Sequence, residues 1–80
     1  MLDSPTLVTL YVVRDWPLCS QAREWLREHE VTHVERDVAN DFGALRAMYV
    51  LTKQRFVPVF EANDLALVRP GDEELAAFLL

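Results

Sequence analysis

From Leu7 to Val13 the chain reads LVTLYVV, an uncharged run rich in β-branched and aromatic residues. Such a run offers no polar face to water, so as a strand it must be covered on both sides, and it is expected at the centre of a sheet. The chain has 80 residues. A chain this short buries only about 60% of the surface its unfolded form exposes and cannot be divided into two cores, so residues 1 to 80 are expected to form one domain. The other segments must supply the neighbouring strands and the covering layers.

Pro17 suits the first position of a helix, where its missing N–H costs nothing, and Leu18, Ala22, Trp25 and Leu26 recur at helical spacing. The pattern predicts a first helix from Pro17 to His29 or Glu30. VTHVERDV, Val31 to Val38, carries β-forming Thr32, Val34 and Val38, and its charges Glu35, Arg36 and Asp37 mark an exposed edge strand. Asp41 fits the N-cap of a second helix that carries Phe42, Leu45, Met48, Tyr49 and Thr52, at the small cost of Gly43 in its first turn. FVPVF, Phe56 to Phe60, is strand-like on both sides of a proline that cannot donate to a ladder, so Pro58 needs a special geometry. A turn at Ala62, Asn63 and Asp64 leads to the short strand LALVR. Then comes PGDEELAAFLL, whose acids stand in the first turn of a third helix and whose Leu75, Phe78 and Leu79 form its apolar stripe. The order is β-α-β-α-β-β-α. The first two strands, joined through a helix, should be parallel with a right-handed crossover, and the last two should form an antiparallel hairpin. Together these give an α/β architecture, a mixed four-stranded sheet with three helices.

Thirteen acids against eight cations give a formal charge of −5, and the cations are scattered along the chain. That balance argues against nucleic acid and against anionic membrane surfaces as partners. No apolar run approaches the roughly 20 residues of a membrane span, and MLDSPT lacks the basic and apolar regions of a secretory leader, so the cytoplasm is the expected location. One cysteine cannot staple the domain internally, which agrees with a compartment where thiols stay reduced. Cys19, His29 and His33 do not form a closely spaced zinc-type set, and no metal is expected.

DWPLC, Asp15 to Cys19, holds that single cysteine at the junction of the first strand and the first helix. A redox pair Cys-x-x-Cys at such a junction would need a second cysteine three positions back, where Trp16 stands. The surrounding residues carry a resemblance. VTLYVVRDWPLCSQAREWLREHEV resembles the opening of a glutaredoxin, in which a strand ending in leucine-tyrosine is followed, five residues after the tyrosine, by cysteine-proline-x-cysteine and a helix. DVANDFGALRAM is similar to the family's second strand end and second helix, and FVPVF occupies the place of its valine-proline segment. Arg69 and Pro70 resemble the arginine-proline before the last helix of redoxins that serve ribonucleotide reductase. The likeness runs from about residue 6 to residue 79.

The resemblance implies a thioredoxin-like, glutaredoxin-type fold with a cis bond between Val57 and Pro58. It also implies that Trp16 fills the place of the nucleophilic cysteine and Cys19 that of the resolving one. In the family the nucleophile sits at a helix N-terminus, whose unpaired N–H groups stabilise the thiolate. Tryptophan has no such chemistry, and with one sulfur no disulfide can form within the chain. The family binds glutathione through the backbone beside the cis-proline, a basic residue before the motif, and a glycine pair followed by an acid. Val57 and Pro58 match the first, Arg14 lies one position beyond the second, and Val68 and Arg69 stand near the glycine pair. Asp72 falls near the acid and could meet a ligand amine. Of these recognition elements one is intact, one ambiguous and one lost, so the resemblance fixes no cofactor and leaves glutathione as the one it allows. A protein or peptide segment, or glutathione, is the implied occupant of a groove beside Trp16, Pro17, Val57 and Pro58.

Two readings remain open for each key residue. Cys19 is either a small hydrophobe in the first helical turn or a single reactive thiol. Trp16 is either the product of drift or an aromatic platform at the old substrate site. His29 and His33 are read as a helix end and an exposed strand without a chemical role, and Trp25 and Leu26 as core. Three functions follow: a binding or regulatory domain silent in thiol exchange, a single-thiol glutathione-dependent redoxin using Cys19, or a structural module whose groove Trp16 closes.

Overall fold

Strand β1, Val8–Val12, lies inside a four-stranded sheet. The computed structural model describes residues 7–80. The other elements are α1 (Pro17–Glu28), β2 (His33–Asp37), α2 (Phe42–Thr52), β3 (Val59–Ala62), β4 (Leu65–Val68) and α3 (Asp72–Leu79). The sheet order is β2-β1-β3-β4. β1 and β2 are parallel, while β3 runs antiparallel to both β1 and β4. This is the thioredoxin-like architecture, with the uncharged strand central and the charged β2 at an edge.

Alternation along β1 sends its side chains to two different layers. Leu10 stands opposite Phe60, and Phe60 borders a cavity with residues of α1 and α3. Thr9 and Tyr11, with Glu61, instead face Ala47 and Leu51 of α2. Helices therefore cover both faces, which is why β1 tolerates no charge. Leu10, Leu26, Met48 and Val59 are fully buried, each contributing roughly 1.5 to 3 kcal/mol by removal from water.

Several boundaries differ from the sequence pattern for local reasons. α1 stops at Glu28 because Glu30 adopts a left-handed φ of 56° and Val31 N–H reaches back to the Leu26 carbonyl at 2.9 Å, closing the helix with a backbone cap. That cap uses Val31, so β2 begins only at His33. In FVPVF only the second half is strand. β3 starts at Val59, immediately after Pro58, which has no N–H to offer a ladder. β4 ends at Val68 because Arg69 turns to φ 48°. The turn between β3 and β4 has Asn63 and Asp64 at φ 53° and 65°, the left-handed pair a two-residue hairpin requires.

Candidate functional site at the start of α1

Trp16 is the N-cap residue of α1, in extended conformation. Its carbonyl accepts from the N–H groups of Cys19 at 3.0 Å and Ser20 at 3.2 Å, and its own N–H donates to Val13 at 3.1 Å. No side chain caps this helix end, and no acid lies in the first turn. The positive end of the helix thus has neither a side-chain cap nor a first-turn acid. Pro17 follows, exposed, and the Trp16 side chain is 46% exposed.

Cys19 points the other way. It is 0% exposed, and its Sγ accepts a weak bond from Val13 N–H at 3.5 Å. Burial pushes its thiol above the ordinary value, outweighing the opposing influence of the Val13 N–H and of Arg23 and Arg69. Burial thus favours the neutral thiol, and the sulfur is packed among Ala22, Leu26 and the rest of the core.

A second element of the site comes from the segment between α2 and β3. The Val57-Pro58 peptide bond is cis. Arg69 is fastened across it: its Nε donates to the Val57 carbonyl at 2.7 Å and its backbone N–H to the Pro58 carbonyl at 3.0 Å. The guanidinium lies 5.2 Å from the centre of the Phe56 ring. Between this segment and the helices is a cavity of about 130 Å³, bounded by Leu18, Gln21, Ala22 and Trp25 of α1, Pro58 and Phe60, Arg69 and Pro70, and Asp72 and Leu75 of α3. It has an apolar floor with one cation and one anion in its wall.

Of the residues singled out in the sequence, Pro58 and Asp72 meet around this cavity. Trp16 and Pro17 do not line it; they stand exposed just before Leu18, which does. Val57 is buried and its carbonyl is taken by Arg69, and Cys19 is sealed away from the cavity. Leu18, Gln21 and Arg69 were not picked out as site residues. Leu18 reads as part of the apolar stripe of α1, and Arg69 is approached in the sequence only through the Arg69-Pro70 dipeptide and its place near the family's glycine pair. Trp25 is core, as its spacing indicates, yet its ring also closes one side of the cavity. Among the described residues no three His, Cys, Asp or Glu side chains converge as a metal site would need, and no helix is long and apolar enough to cross a membrane.

Residues 8–65 match the family model for glutaredoxin. The chain belongs to the glutaredoxin family. Two solved structures share the fold of this glutaredoxin-family chain. A mutant form of the thioredoxin-like protein BC3987 is 22% identical, with a TM-score of 0.83, over 90% of this chain and 92% of the other. A glutaredoxin from Archaeoglobus fulgidus is 17% identical, with a TM-score of 0.80, over 88% of this chain and 82% of the other. No curated protein matches.

Within a glutaredoxin-family chain this geometry has a definite chemical content. The helix end that would favour an anion presents an indole, and the only thiol is held neutral below it. The cavity offers apolar surface, the Arg69 guanidinium and the Asp72 carboxylate to an occupant.

Proposed function

We propose that this glutaredoxin-family protein takes part in thiol redox processes as a binding or regulatory domain without dithiol-disulfide exchange, Trp16 standing where the family carries its nucleophilic cysteine. The observation that carries the reading is the environment of Cys19. Thiol exchange requires a thiolate to approach another sulfur, and Cys19 is fully buried, with burial raising its pKa. Function then rests with the groove bounded by Leu18, Pro58, Arg69 and Asp72, and with the exposed Trp16 and Pro17 just before it. Exposed tryptophan is a strong contact residue for a protein or peptide segment, since it buries a large rigid surface at little entropic cost. Glutathione is the small-molecule occupant compatible with the groove, with Asp72 available to its amine. A free, unpaired Cys19 fits a reducing cytoplasmic setting.

Intact-mass measurement after exposure to oxidised glutathione tests this reading. The expected result is no adduct on the folded protein and background activity in thiol-driven reduction of insulin. A quantitative adduct at Cys19 would overturn it in favour of a single-thiol redoxin.

A further inference from the structure

The stretch from Phe42 to Phe60 holds three of the chain's eight cations, Arg46, Lys53 and Arg55, and none of its thirteen acids. The fold gathers much of it into one surface on the outer side of α2. Phe42, Leu45, Arg46, Tyr49, Val50 and Arg55 line a single shallow concavity. Phe42 is 77% exposed, Val50 59% and Tyr49 45%. Single exposed apolar residues need no explanation, but neighbours grouped in one concavity mark a contact surface. Among the described residues Arg46, Lys53 and Arg55 have no carboxylate partner, nor do Arg14 and Arg69, whereas Arg23, Arg27 and Arg36 each have one; Arg46 and Arg55 are the two that lie beside exposed apolar side chains. Arg55 lies instead 5.9 Å from the centre of the Tyr49 ring.

We infer that this face of α2 docks a segment of another protein that carries carboxylates beside an apolar stripe. The apolar residues supply the area, and Arg46 and Arg55 select the charge of the occupant. A symmetric pairing of two copies through this face would set Arg46 and Arg55 against their own equivalents, which like-charge repulsion disfavours. A head-to-tail pairing with the acidic start of α3 would build a ring or an open filament and so would show as assembly beyond a dimer. The surface lies on the opposite side of the sheet from the groove beside Pro58, since α2 covers the face of Tyr11 and Glu61. It therefore provides a second contact independent of the groove.

The experiment uses isotope-labelled full-length protein and two synthetic amphipathic peptides, one of leucine and glutamate and its counterpart with lysine in place of glutamate. The glutamate peptide should shift the amides of residues 42 to 55, and its affinity should fall at least about tenfold in Arg46→Glu/Arg55→Glu. The lysine peptide should bind that double variant and not the native protein. Both arginines are exposed and without ion pairs, so the variant should keep the native circular dichroism and melting temperature. Phe42→Ser should weaken the glutamate peptide without altering the charge preference. Equal binding of both peptides, or shifts confined to the groove beside Pro58, would overturn the inference. So would self-association abolished by Phe42→Ser, which would make the occupant a second copy. Equal affinity for phosphatidylserine vesicles, lost in the same double variant, would make it a membrane surface.

Discussion

At the start of α2 the Asp41 side chain accepts the Ala44 N–H at 3.1 Å, and at the start of α3 the Gly71 N–H donates to Glu74 at 3.1 Å, with Asp72, Glu73 and Glu74 in the first turn. At the start of α1 stands Trp16, with no capping side chain and no acid nearby in the helix. A side-chain cap is worth about 1 kcal/mol, and first-turn acids add a few tenths more. α1 does without both. It can, because its own packing holds it: Cys19, Ala22, Trp25 and Leu26 are all buried. Two helices of this small domain thus carry acidic groups at their positive ends, and the third carries none in its first turn. In a glutaredoxin-family fold that end is where a thiolate would be stabilised, and here an indole occupies it.

The largest expected effect comes from restoring the sulfur. In Trp16→Cys the new thiol would sit at the uncapped N-terminus, so its pKa should fall below the ordinary value of about 8.5. Near neutral pH its alkylation should outpace that of Cys19 by about 100-fold or more. Mild oxidation should remove two protons from the intact mass without dimer formation, because the two positions are three apart on the first helical turn. A folded variant that keeps two free thiols would show that positions 16 and 19 are not arranged as a redox pair.

Next in size are the caps themselves. Asp41→Ala should lower stability by about 1 kcal/mol in chemical denaturation. Trp16→Asp should raise it by up to about 1 kcal/mol, since the acid both caps α1 and meets its positive end. If Trp16→Asp is instead the more damaging of the two, the indole is a structural element and the contrast between the helix starts loses its meaning.

How much of this could be seen in the sequence depended on the range of the interactions. β1 was legible because an uncharged run has only one place to go in a small domain. The starts of α1 and α2 were legible because Pro17 and Asp41 act on their own first turns. The apolar pattern of α2 was legible too, but not which part of it would be covered: Met48 is fully buried while Phe42 and Tyr49 face outward. Periodicity identifies apolar positions and leaves open whether another element reaches them. The bond from Arg69 to the Val57 carbonyl joins residues twelve apart through an irregular turn, and no local rule announces it. Cys19 was ambiguous for the same reason. Its burial depends on β1 and α1 packing together, a fact of tertiary structure.

The smallest effect separates surface charge from the helix ends. Partial burial alone would raise the Glu35 pKa, but hydrogen bonds from Arg23 and His33 outweigh it and hold the carboxyl below its usual value. Arg23 Nε lies 2.8 Å from Glu35, with both side chains about one third exposed. Arg23→Gln should therefore cost no more than about 0.5 kcal/mol at neutral pH. Because the folded pKa is depressed, this contribution is present above the unfolded value of about 4.3 and fades as pH falls through the folded one. Native protein and variant should thus converge in stability in acid, and a difference that persists there would point to lost packing by the arginine stem.

The rate of alkylation of Cys19 in the folded native protein, followed from neutral to alkaline pH, tests the central claim most directly. A sulfur sealed beneath an open helix end should react slowly throughout, with its rate rising only above the ordinary thiol pKa of about 8.5. Fast alkylation near neutral pH, levelling off well below that value, would show an accessible thiolate at Cys19 and contradict the proposal that the protein is silent in thiol exchange.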